Sequence, residues 1–244
     1  MRPEGNHPAV FGRSRSFEMH PIATAPSRAE QVYTAIRDSI CDGKMTPGTH
    51  LVQEELAAQL GVSRQPVQQA LLLLKNERLV VEVGARGLYV APLNPDDVIH
   101  HYQIRIVLDQ LAARLVTERA AASSPWAAEL RRRGEEILIE GEAARNRHSA
   151  PDAVSHDVRF HSFIYEMSGN PFIADTASAH WNYLRRVMIA VLLHAERGKI
   201  VWHQHREILD ALLAGDPAAS ERLAAHHVIG AQNALLRTLS EREL

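Results

Sequence analysis

A single cysteine, Cys41, stands in the 244 residues, so no internal disulfide can form and the composition fits the reducing cytoplasm. In "AIRDSICDG" that cysteine reads as a small buried apolar side chain rather than a reactive thiol. No apolar run approaches the ~20 residues that span a bilayer, and the first 26 residues lack the apolar middle of a secretory signal. No membrane association is therefore expected. Neither sign of charge dominates: the formal net charge of −2 excludes a protein that is basic all over. It leaves open a local basic face that binds nucleic acid. Aromatic residues make up only 5% of the chain. Strand signals are missing from everything beyond Pro95. What is present is a globular balance of 45% hydrophobic and 23% charged residues, rich in Ala and Leu and leaning toward helix.

Residues 1–26, rich in Arg, Pro, Ser and Gly, read as a disordered tail. From Ser27, a suitable cap, Val32, Ile36 and Ile40 recur at helical spacing until "DGKMTPG" breaks the pattern. A short helix in "QEELAAQL" and the turn "GVS" precede a second helix from Arg64, with Ser63 as its N-cap and Pro66 in its first turn. "LVVEVGARGLYVAPL" then reads as a two-stranded hairpin. Apolar residues at three- and four-residue spacing predict helices over 96–122, 126–147, 151–168, 171–195, 199–214 and 217–240. The expected architecture is mainly α. A winged helix-turn-helix domain spans 27–92, a linker 93–97, and an all-helical bundle 98–240.

In "LAAQLGVSRQPVQQAL", Leu56, Ala57, Leu60, Val62, Val67 and Leu71 are spaced to pack two short helices across a turn at Gly61. That is the helix-turn-helix arrangement, whose second helix enters the DNA major groove. Its leading side chains are Ser63, Arg64, Gln65, Gln68 and Gln69. Arginine can grip guanine, and glutamine adenine, through paired hydrogen bonds. The hairpin tip would place Arg86 against phosphate or the minor groove, with Gly87 allowing close backbone approach. Seven Lys or Arg are balanced by seven Asp or Glu over 27–92, so attraction to phosphate would need clustering on one face.

Residues 28–92 resemble the winged-helix domain of the GntR family of bacterial transcriptional regulators. The resemblance is carried by Gly43, Pro47-Gly48, Leu51, Leu56-Ala57, Gly61-Val62-Ser63-Arg64, Pro66-Val67 and Ala70-Leu71. It implies that Arg64 contacts DNA. Where the family has Arg-Glu before Ala-Leu, this chain has Gln68-Gln69. The missing arginine implies an altered operator or a lower affinity.

Among fourteen histidines, the informative ones have partners at ligand-like spacing. Asp157 and His161, at i and i+4, share a helix face with Phe160 and Ile164 and so point inward. Taken alone, that pair favours a simple hydrogen bond over a metal. In "VWHQHREILDALLAGD", Ile208, Leu209 and Leu212 lie at i+3, i+4 and i+7 from His205, which puts His205 on the inward stripe. His203 is expected to face water. The neighbours of His227, namely Leu223, Ala231, Ala234 and Leu235, make it the inward member of the pair His226-His227. One Asp and three His inside a helical bundle suit a divalent transition metal, zinc first and nickel or manganese after it.

Residues 98–240 also resemble the ligand-sensing helical (FCD) domain of the FadR-type branch of that family. The matching elements are "IRIVLDQLAARL", Asp157-x-x-Phe160-His161, Gly169-Asn170, His205 with "REILDALLAGD", and His227. The resemblance implies metal ligands Asp157, His161, His205 and His227, and a small carboxylate effector bound near the metal. Arg105 could pair with that carboxylate or form a structural salt bridge. Together the two domains imply a cytoplasmic, homodimeric, non-enzymatic regulator, in the first instance a repressor, reading a two-fold symmetric duplex operator. The rival is a metal-dependent hydrolase using the same Asp and His to activate water. It lacks an HExxH motif, and Glu166 and Glu207 fall off the inward stripes.

Overall fold

Ser27 opens the first helix with a capping box: its hydroxyl accepts from the Glu30 amide, and the Glu30 carboxylate accepts from the Ser27 amide. The computed structural model describes residues 26–84, 87–145, 149–192 and 198–241. Residues 1–25 of the expected tail, and the wing-tip Arg86, lie outside that set.

The capped helix is α1 (Arg28–Cys41); α2 (Gln53–Leu60) and α3 (Arg64–Asn76) follow. Between α2 and α3, Gly61 turns the chain at φ 63° and ψ 36°, a left-handed conformation that favours glycine. Ser63 occupies the N-cap of α3, but its side chain makes no capping bond. Pro66, the third helical residue, has no N–H to offer it. Strands β1 (Val80–Glu82) and β2 (Leu88–Val90) then pair antiparallel, with Val80 opposite Val90 and Glu82 opposite Leu88. Val32, Ile36, Ile40, Leu56, Val67, Leu71, Leu74 and Val90 form one apolar core.

Six longer helices follow: α4 (Pro95–Ala122), α5 (Ser124–Arg145), α6 (Ala150–Met167), α7 (Pro171–Leu192), α8 (Gly198–Ala214) and α9 (Pro217–Ser240). Asn94, Ser149 and Asp216 cap α4, α6 and α9 by accepting from backbone amides in the first turn, and each of those helices has proline at its start. Helix α4 packs along α9 and also touches α5, α6, α7 and α8. It is the central rod of a second apolar core that includes Tyr102, Val116, Phe160, Leu184, Leu209 and Val228. Among the described residues no helix is long and apolar enough to cross a membrane.

Helix α7 joins the two cores. The Cys41 thiol donates to the Asn182 carbonyl at 3.3 Å, and the Asn182 amide donates to Glu77 at 3.2 Å. Arg185 pairs with Asp42 at 3.2 Å, while the buried Arg186 donates to the Ala91 carbonyl. The Tyr183 hydroxyl reaches the Asn94 carbonyl at 3.0 Å. Cys41 is fully buried, and burial pushes its thiol up to about 11, which makes it unreactive near neutral pH.

Candidate metal centre and nucleic-acid interface

Four donors from three helices converge in the second core. On α6, Asp157 and His161 lie one turn apart and both face inward; α8 supplies His205 and α9 supplies His227. All four are buried, and one ligand atom from each lies within 4.8 Å of the others. His205 Nε2 is 3.3 Å from Asp157 Oδ1 and 3.2 Å from His227 Nε2. The inward and outward histidines separate as the periodicity suggests: His205 and His227 are buried, His203 and His226 exposed.

Phe160 stacks on the His205 ring at 4.1 Å between centroids, and Trp202 meets that ring edge-on at 4.9 Å. These apolar walls exclude water, so the polar atoms inside need partners. Several have none in the protein: His161 Nε2 and Asp157 Oδ2 are buried without a hydrogen bond. Buried polar atoms without partners are costly, and a cation bound by the Asp and His donors removes part of that cost. Tetrahedral bonds of roughly 2.0–2.1 Å to a transition metal set donors about 3.3–3.4 Å apart. The His205–His227 and His205–Asp157 separations of 3.2 and 3.3 Å already match, and the other pairs, within 4.8 Å, would draw together around an ion. The buried Asp/His group could therefore hold a metal.

Helices α4, α6 and α8 supply an outer ring. His161 Nδ1 lies 2.6 Å from Asp109 Oδ1 on α4, and the Tyr165 hydroxyl donates to Asp109 Oδ2 at 2.6 Å. Gln204 Oε1 lies 3.0 Å from His227 Nδ1. Arg105, also on α4 and 3% exposed, sits 3.7 Å from Asp109 and 3.9 Å from Asp157. Its guanidinium lies 4.6 Å from the Trp181 ring centre and has no hydrogen bond from Nε, Nη1 or Nη2. Arg105 thus has the carboxylate neighbours at ion-pair range that a structural salt bridge needs, and none of its nitrogens makes a hydrogen bond. Arg105 and Tyr102, whose hydroxyl is also unbonded, line a cavity of about 80 Å³ together with residues that include Asp157, Met188, Trp202, His227 and Leu235.

Asp109, Tyr165, Tyr102, Trp181 and Gln204 escaped the sequence reading. For Asp109 a signal existed. The buried stripe of α4 runs Val98, Tyr102, Arg105, Asp109, Ala112, Val116, so two opposite charges one turn apart occupy the middle of an apolar face. Side chains rarely bury charge without a partner.

Burial opposes ionisation of Asp157, but the hydrogen bond to His205 and the charges of His161, His205 and Arg105 outweigh it and hold the carboxyl well below its usual range. Burial pushes His205 down to about 4 against the pull of Asp157, and His227 falls well below the ordinary histidine value. His101, packed against His180, is likewise pushed to about 4. An unfolded chain protonates these rings near 6.5, the folded chain only near 4, so in that window the unfolded state binds more protons. Stability of the metal-free protein therefore falls as pH drops from about 6.5 toward 4, and the Asp157 contribution is lost only at lower pH. Urea midpoints of chelator-treated protein at pH 7 and pH 5 check this; an equal or higher midpoint at pH 5 contradicts it.

In the first core, α3 presents Ser63, Arg64, Gln65, Gln68 and Gln69 to solvent, while Val67, Ala70 and Leu71 are buried. Arg64 pairs with Glu54 at 2.7 Å, both side chains being about 70% exposed. Gln68, Gln69, His50, Lys75 and Gly87 line a groove between α3 and the hairpin. Gly87 has φ 107°, and a Cβ there would stand 2.9 Å from His50 Nε2, so only glycine fits the base of the wing.

Comparison with known proteins follows this division. Residues 28–90 match the family described as bacterial regulatory proteins, gntR family, and residues 100–230 match the FCD domain. An HTH-type transcriptional regulator from the TAR-I ttuE-ttuC' intergenic region of Agrobacterium vitis is 32% identical over 58% of this chain and 81% of its own. The HTH-type transcriptional repressor RspR of Escherichia coli (strain K12) is 26% identical over 82% of this chain and 85% of its own. A solved structure of a GntR transcriptional regulator from Rhodococcus sp. RHA1 superposes with a TM-score of 0.70 at 25% identity, over 86% of this chain and 98% of that one. All three are described as regulators of transcription, not as enzymes.

Proposed function

The chain belongs to the gntR family of bacterial regulatory proteins, as a DNA-binding transcriptional regulator with a C-terminal FCD domain, and from that premise we propose a metal-dependent sensor of a short carboxylate that acts as a repressor. Asp157, His161, His205 and His227 bind a divalent transition metal, with zinc first and nickel or manganese as alternatives. When bound, that metal supplies positive charge beside the cavity. Arg105 and Tyr102, which also line that cavity, then orient an anion there.

The single observation that carries this reading is the convergence of four buried donors beside a cavity lined by an arginine whose nitrogens make no hydrogen bond. Charge supports it: Asp109 and Asp157 against Arg105 leave the site with a net charge of −1, so a dication makes it positive and a monoanion restores balance. Size narrows the effector. A cavity of about 80 Å³ takes a small carboxylate with a short carbon chain rather than a bulky one. Met188, Val201, Ala231 and Leu235 surround that chain with apolar contacts.

Ser63, Arg64, Gln65, Gln68 and Gln69 read base edges, and Gly87 and Arg86 contact the DNA backbone. Two chains act together as a cytoplasmic homodimer on a two-fold symmetric operator, because each chain brings one recognition helix. Helix α7 links the sites: Trp181 and Met188 face the cavity region, while Asn182, Arg185 and Arg186 hold the reader. Linkage is reciprocal, so an effector that weakens operator binding must bind less tightly to the DNA-bound form.

The test is a thermal-shift series of two- to six-carbon carboxylates on zinc-loaded and metal-free protein, followed by operator titration with the best ligand. A native-state ligand raises Tm through mass action. Short monocarboxylates should raise Tm only in the loaded protein, and the same ligand should release operator DNA. If no carboxylate shifts Tm with zinc bound, the sensor reading is wrong.

A further inference from the structure

We propose that Asp109 is a positioning residue for the metal centre: it fixes His161 with its proton on Nδ1, so that Nε2 faces Asp157, His205 and His227 as a free lone pair. This rests on the metal reading above and adds the residue that prepares one of its ligands. Asp109 is 4% exposed and lies on α4, not on the helices that carry the four converging donors. Its two oxygens are each engaged from α6, Oδ1 by His161 Nδ1 and Oδ2 by the Tyr165 hydroxyl, both at 2.6 Å. His161 and Tyr165 stand at i and i+4 and so reach the same carboxylate from one helix face.

An ionised carboxylate accepts hydrogen bonds and donates none. The proton in the 2.6 Å contact therefore belongs to His161 Nδ1, and in the neutral form, the one that can bind a metal, no proton is left for Nε2. That nitrogen is buried and has no protein partner. The same carboxylate lies 3.7 Å from Arg105 Nε, so one group orients a histidine of the cluster and holds the arginine at the cavity wall. Outer-shell carboxylates of this kind set the tautomer and basicity of metal-binding histidines, and their removal costs about 10- to 100-fold in metal affinity.

Asp109→Asn separates positioning from packing. The amide keeps the volume, but its NH₂ can donate to Nδ1 and so stabilise the opposite tautomer, with the proton on Nε2. Tyr165→Phe removes one bond to Asp109 and leaves the His161 contact. Zinc competition titrations should show about a 10- to 100-fold loss for Asp109→Asn and a much smaller one for Tyr165→Phe. Imidazole ¹⁵N shifts of the metal-free wild type should show His161 protonated on Nδ1, and Asp109→Asn should move the proton toward Nε2. The wild-type tautomer is measurable even if the variant fails to fold, and a proton on Nε2 there overturns the inference. So does wild-type zinc affinity in folded Asp109→Asn, or an equal loss in Tyr165→Phe. A wild type that binds zinc, nickel and manganese no better than solvent histidines overturns the metal reading instead, while the tautomer still tests the role of Asp109.

Discussion

His205→Ala protein, purified beside the wild type, is expected to contain no bound transition metal, whereas His203→Ala keeps the wild-type content. The two histidines are two residues apart on α8 and differ in everything that matters to a cation. His205 is fully buried, and its Nε2 is within 3.3 Å of both Asp157 and His227. Removing it takes away the donor that touches the other two, so the loss should exceed the roughly 10- to 100-fold that an outer-shell partner costs. His203 is 74% exposed beside Glu207 at 3.6 Å, a surface pair worth at most about 1 kcal/mol. Elemental analysis gives the content, and thermal shift gives a second measure. Zinc at 100 times its Kd stabilises the folded state by about 2.7 kcal/mol, and only the His205 variant should lose that gain. Equal loss from both substitutions would overturn the assignment.

Arg64→Ala should weaken binding to the operator by roughly 5- to 150-fold, the equivalent of about 1–3 kcal/mol for one bidentate base contact. Binding to random duplex at the same salt should change far less, because a base contact carries discrimination and phosphate contacts carry the non-specific part. In the free protein Arg64 is tied to Glu54 at 2.7 Å, but both are exposed. That bond is weak and can be exchanged for a guanine edge at little cost. Fluorescence anisotropy with the native upstream duplex and a scrambled one separates the two effects. A parallel drop on both duplexes would make Arg64 a phosphate contact and take it out of the reading set.

Much of this was legible from spacing alone. The helical repeat told His205 from His203 and His227 from His226, because each step along a helix turns about 100° and carries a residue one or two positions away off the apolar stripe. Turn chemistry was equally readable: Ser27, Gly61 and the hairpin glycines carry their structural instruction in their own side chains or lack of them. Ser63 shows where such local reading stops. As a residue type it is a good cap, yet Pro66 removes a donor it would need. Asp109 marks a different limit, since its partner His161 lies 52 positions away and no local pattern joins them. Arg105 could be placed on the buried face, but whether it serves a neighbour or a ligand depends on distances that spacing does not contain.

Helix α7 was the hardest to read. Asn182, Arg185 and Arg186 form the polar side of an amphipathic helix, and such a side ordinarily meets water. Here it meets another domain. The rule behind amphipathicity registers which face is polar, not what the polar face touches.

That contact restricts how such regulators can be recombined. A DNA reader cut from this chain and grafted onto a different helical sensor would arrive with Cys41 uncovered, Asp42 without Arg185, and the Ala91 carbonyl without Arg186. The helical domain left behind would carry an arginine shaped to a surface no longer present. The two halves look like interchangeable parts along the sequence, yet they share a seam of matched polar atoms, and a working chimera would have to carry α7 across with the reader or redesign the seam.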